Sequence, residues 1–110
     1  VSSASRAWLL ANAAAALSRS DEEQASCAAR TFELACLADD PWACTMYGTF
    51  LAQGVGVAAD PKRALLFFAK ACGPGESHPA CDAARDSASL VQQSLGRGET
   101  GPVDARAVAP

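Results

Sequence analysis

Ala28, Phe32, Ala35 and Cys36 return 36 residues later as Ala64, Phe68, Ala71 and Cys72. Ala43 and Cys44 return as Ala80 and Cys81, with one residue inserted between Gly73 and Pro79. A period in the mid-thirties is what two helices and two short loops occupy, so this repetition points to a stacked helix-turn-helix array. No other feature restricts the possible folds as strongly, and the remaining sequence reads as flanks to that unit.

Composition agrees with helices. Half of the 110 residues are apolar, but aromatics make up only 6% and alanine dominates. An alanine-rich interior closes by bringing backbones near one another, and alanine is the best helix former and a poor strand residue. The net charge of -3 supplies no basic stripe, which argues against nucleic acid or an anionic membrane surface as partner. No apolar run approaches the roughly 20 residues of a membrane span.

Start and stop signals divide the chain into about five helices. The first is expected over residues 5–18, where Trp8, Leu9, Ala13 and Leu17 share a face. Its segment Ala7 to Leu17, with Arg6 before it, has the length of a short secretory apolar region. Asn12 interrupts that region, and an ordinary helix is the expectation. Ser20 followed by Asp21, Glu22 and Glu23 has the form of a capping box and opens a second helix that ends at Ala38-Asp39. Asp40-Pro41 and Asp60-Pro61 each pair a favoured N-cap with a first-turn proline, and open helices running to about Ala52 and to Cys72. Gly48 in the former marks a close helix crossing, and Gly54 or Gly56 ends it in a left-handed cap. Lys62 and Arg63 are expected in solvent. Gly73-Pro74-Gly75 stops the fourth helix, and Pro79 starts a fifth that runs to about Leu95 and is polar on one side. Residues 1–95 are thus one helical domain. Residues 96–110 lack a periodic face and read as a flexible tail or, because GRGETGPVDARA echoes GVGVAADPKRAL, as a truncated further repeat.

Gly54, Gly56, Val57, Asp60, Ala64, Lys70 and Ala71, with Ala43 and Gly48 before them, resemble the Sel-1-like repeat, a relative of the tetratricopeptide repeat. The match is specific over Ala43 to Cys72 and weaker over Gln24 to Cys36. The fifth helix departs from it, with Arg85 and Val91 at glycine positions. The cysteines at 36 and 44, and at 72 and 81, resemble the cysteine-rich branch of that family, known from secreted bacterial proteins. The resemblance implies an all-α fold, a right-handed α-solenoid of antiparallel helix pairs whose concave face binds other proteins. It implies disulfides Cys36–Cys44 and Cys72–Cys81. Some relatives bind or slowly hydrolyse β-lactams, and a mitochondrial relative assists respiratory-complex assembly, but neither role has a residue motif here.

Helix geometry is compatible with those bridges. Each pair would join the last turn of one helix to the first turn of the next, where Cα atoms approach within about 6 Å. Each closes a loop of about nine residues, contributing about 2.5 kcal/mol on the chain-entropy account. The alternative is five reduced thiols buried as small apolar groups. Bridged cysteines imply a secreted or periplasmic setting, reduced ones the cytoplasm. Cys27 is unpaired in either case and is expected to point outward, because its repeat equivalent is Arg63.

No catalytic constellation is present. The single histidine, His78, stands beside Pro79 in an expected exposed turn, with no positioned nucleophile. Asp39, Asp40 and Asp60 read as caps. No C-x-x-C pair suggests a metal, and Gly54-x-Gly56 follows a helix and lacks the third glycine of a dinucleotide loop. No cofactor is expected. The expected function is a protein-interaction or scaffold module whose surface takes another protein or peptide; a weak β-lactam-binding or hydrolysing protein is the alternative. Tyr47, Phe50, Gln53 and Lys62 are the candidate contact residues, each equally readable as a packing or solvated position.

Overall fold

The computed structural model describes residues 22–73, 75–99 and 101–103. Its described residues form four helices and no strand: α1 (Glu22–Leu37), α2 (Pro41–Gln53), α3 (Pro61–Ala71) and α4 (Pro79–Gly96). They match the second to fifth helices expected from sequence. The helix expected over 5–18 and the cap at Ser20 lie outside the described residues.

Local chemistry sets the ends. Asp40 accepts hydrogen bonds from Trp42 N and Ala43 N at the start of α2, and Asp60 accepts one from Arg63 N at the start of α3. Asp39, expected as a cap, instead occupies the left-handed turn after α1 at φ 71°, a conformation that aspartate tolerates better than most side chains. Gly54 closes α2 at φ 72°, its N–H bonded to Phe50 O. His78 is not a free turn residue. It is the N-cap of α4, half-buried, with Nδ1 accepting from Ala80 N at 3.1 Å.

Both disulfides are present, Cys36–Cys44 and Cys72–Cys81, each with Cα atoms 4.5 Å apart. The first joins α1 to α2 and the second joins the turn after α3 to α4. Cys27 is free and exposed. The sulfurs are therefore paired as the resemblance implied, and the reduced alternative does not apply to these four.

α2 is the centre of the packing. It lies against α1, α3 and α4, and α3 also packs on α4. Alternate helices are thus neighbours as well as consecutive ones. Thr45 of α2 donates its hydroxyl to Ala80 O of α4 at 3.0 Å. On the other side, Glu33 pairs with Arg63 and Asp39 with Lys70. Residue numbers rise together along the two partners, so α1 and α3 run side by side in the same direction.

The interior is as alanine-rich as the composition requires: Ala29, Ala64, Ala71, Ala80, Ala83 and Ala84 are fully buried. The repeat positions Phe32 and Phe68 both turn inward, yet not equivalently. Phe68 is 2% exposed, whereas Phe32 is half-buried and meets Phe50 edge-on at 5.5 Å between centroids. The loop after α2 folds under α1, where Gly56 lies against the backbone of Ala25 and Ser26, and Ser26 Oγ donates to Gly56 O.

The boundary expected at residue 95 is not where packing ends. Beyond α4, Ser94 Oγ and Arg97 Nε reach Glu99, Val103 is buried, and Val103 N donates to Ala52 O at 2.7 Å. This segment returns to the C-terminal end of α2, because a buried valine and a satisfied backbone bond outweigh the turn-rich composition that suggested a flexible tail.

Candidate functional site

The parallel placement of α1 and α3 creates a seam over α2 that consecutive-helix reasoning does not foresee. Four side chains meet in it. Tyr47 rises from α2, 3% exposed, and donates its hydroxyl to Glu33 Oε2 of α1 at 3.3 Å. The same carboxylate oxygen lies 3.7 Å from the Arg63 guanidinium of α3. That guanidinium stands 5.4 Å over the Phe67 ring, which in turn meets Tyr47 edge-on at 4.7 Å. Burial, reinforced by the Glu33 charge, pushes the Tyr47 phenol above its usual value near 10, so it is a neutral donor at physiological pH. The cluster is a latch between helices: a phenol held as a proton donor and a carboxylate held by a cation, with neither placed as nucleophile and base.

Further along the seam Lys70 Nζ reaches Asp39 at 3.3 Å. A groove of about 370 Å³ lined by Asp39, Pro41, Cys44, Lys70 and Gly73 opens at this end. Both ion pairs are solvated and contribute at most about 1 kcal/mol each. Their effect is to fix α1 and α3 in register.

Outside the seam stand three leucines. Leu34 and Leu37 of α1 are 56% and 60% exposed, and Leu66 of α3 is 69% exposed. Leu37 follows Glu33 by one turn, and Leu66 lies between Arg63 and Lys70 on its helix, so the two ion pairs bracket the leucines. Arg30, one turn before Leu34, and Lys62, one turn before Leu66, are both exposed. Exposed leucines thus stand on both α1 and α3, Leu34 and Leu66 each within a turn of an exposed cation.

Two of the four contact residues expected from sequence are interior. Phe50 is fully buried against Phe32, and Tyr47 is covered except where its hydroxyl reaches Glu33. The chain's few aromatics are needed to fill space between thin helices, which draws both inward. Gln53 is half-buried with its Oε1 lacking a hydrogen-bond partner, and Lys62 is exposed one turn before Leu66. The structure does not bring these four together on one surface.

The leucines were missed, although the sequence marks them. Leu34 stands two residues from Phe32 and from Cys36, and Leu66 two from Ala64 and from Phe68. Two residues along a helix is the opposite side, so a leucine between repeated inward positions faces out. Among the described residues no three His, Cys, Asp or Glu side chains gather as metal ligands, and no helix is long and apolar enough to cross a membrane. Comparison with known protein families, curated proteins and solved structures finds no match to this chain.

Proposed function

We propose that the chain is a protein-interaction or scaffold module of the Sel-1-like kind, its helix pairs stacked as an α-solenoid, and that the α1–α3 face receives another protein. One observation carries this reading: Leu34, Leu37 and Leu66 are exposed together on a face whose geometry is held by a disulfide, two ion pairs and the Tyr47 latch. A rigid face lowers the ordering cost of binding, and clustered exposed leucines in a small domain mark contact surfaces more often than chance placement does. The packing of α2 on both α1 and α4, with the Glu33–Arg63 ion pair reaching from α1 to α3, is compatible with a stack of helix pairs. The two disulfides fit a secreted or periplasmic setting.

Selection of a random helical-peptide library on the oxidised chain tests this, with counter-selection on the L37S/L66S variant. Enrichment of sequences that bind the parent and not the variant is expected. A library that enriches nothing, or enriches binders indifferent to the variant, overturns the proposal.

A further inference from the structure

Resting on that reading, we infer that the α1–α3 face is built for an acidic amphipathic helix of a partner protein. Charge is the first reason. The exposed surfaces of α1 and α3 carry Arg30, Lys62, Arg63 and Lys70; of the carboxylates near them, Glu33 and Asp39 are engaged by Arg63 and Lys70, and Asp40 and Asp60 cap the starts of α2 and α3. Arg30 and Lys62 make no ion pair among the described residues. The other carboxylates of these two helices, Glu22 and Glu23, lie at the far N-terminal end of α1. Arg30 and Lys62 are therefore exposed cations without an ion-pair partner among the described residues, next to the exposed leucines, which favours an acidic partner over a basic one.

Shape is the second reason. Two parallel helices leave a furrow between their side-chain ridges, and a third helix fills such a furrow with its own ridge. The face is helical throughout and offers no unpaired strand edge to an extended peptide, so affinity has to come from side chains at i, i+3, i+4 and i+7. A second copy of this chain is a poor occupant. Three leucines fall well short of the roughly 800 Å² per partner of a stable dimer. Binding through so small a patch is expected in the micromolar range.

The test uses the full oxidised chain and two synthetic 18-residue helical peptides, identical in their leucine stripe and carrying glutamate or lysine on its flanks, read by fluorescence anisotropy. The acidic peptide should bind at least tenfold tighter than the basic one, and more weakly as salt rises. R30E/K62E should reverse that preference, L37S/L66S should weaken binding at least tenfold, and Q92E on exposed α4 should leave it unchanged. Circular dichroism checks that each variant keeps its helices, which the exposure of every altered residue favours. If the basic peptide is preferred and L37S/L66S abolishes it, the face docks proteins but the assigned partner chemistry is wrong. If neither peptide binds, or both bind regardless of L37S/L66S, the docking surface itself falls.

Discussion

Gly48 of α2 and Phe68 of α3 are in contact so close that a Cβ on Gly48 would sit 2.5 Å from Phe68 Cε1 and 2.7 Å from Cδ1. The ring fills the space a side chain would occupy, and this sets the separation of the two helices. G48A gains about 1 kcal/mol of helix propensity but forces a buried ring to move, at a cost of about 1–3 kcal/mol. A net fall in the denaturant midpoint is expected, and F68L in the same chain should restore part of it. An unchanged midpoint for G48A would show that the ring yields freely.

Gly56 should tolerate substitution less well. Its φ of 69° disfavours any side chain, and a Cβ there would run into the backbone of Ala25 and Ser26, which cannot step aside as a ring can. G56A is expected to cost about 3 kcal/mol. G54A, whose Cβ would meet only Ala59 at 3.1 Å at its nearest, should cost less. Equilibrium urea unfolding of the pair decides the order.

The two disulfides differ in reach. Cys36, Cys44 and Cys81 are fully buried, and Cys72 alone of the four touches solvent. Denatured, unreduced protein should show one free thiol, Cys27. Limited reduction of the folded chain, followed by alkylation and peptide mass mapping, should label Cys72 and Cys81 before Cys36 and Cys44. Replacing either pair by alanine is expected to cost about 2.5 kcal/mol on the loop-entropy account.

His78 holds the start of α4 through Nδ1, the role that asparagine and aspartate usually play. H78A should destabilise the protein by about 1 kcal/mol, while H78N, which keeps a side-chain acceptor, should be close to neutral. Thermal melts of the three proteins at pH 8 separate a capping role from a merely exposed position, for which both variants would behave alike.

Tyr47 gives the chain a sensitivity to alkali. Its phenol pKa is raised in the folded state, first by burial and then by Glu33, so folding holds a proton that the unfolded chain releases near pH 10. Its stabilising contribution is complete below that pH and is lost as the pH climbs through the folded value. Y47F removes the titration. Between pH 9.5 and 11.5 the parent should therefore lose stability faster than Y47F, and identical slopes would remove Tyr47 as the cause.

The sequence by itself determined the four described helices. It brought the two sulfur pairs within reach and the resemblance implied their bridging, while the fold decided between bridged and reduced. Asp40-Pro41, Asp60-Pro61 and Gly54 act on backbone groups within a few residues, and the recurrence of Cys36 and Cys44 as Cys72 and Cys81 places each pair across the turn from one helix to the next. Tertiary structure decided what those helices share. That Glu33 meets Arg63 and that Tyr47 is capped beneath them depend on α1 lying beside α3, and that Val103 returns to Ala52 depends on α4 lying beside α2. Those contacts join residues 14 to 51 apart, and no local propensity encodes them. They follow from how closely small residues such as Gly48 and Gly56 let neighbouring backbones approach, and only the packed chain expresses that distance.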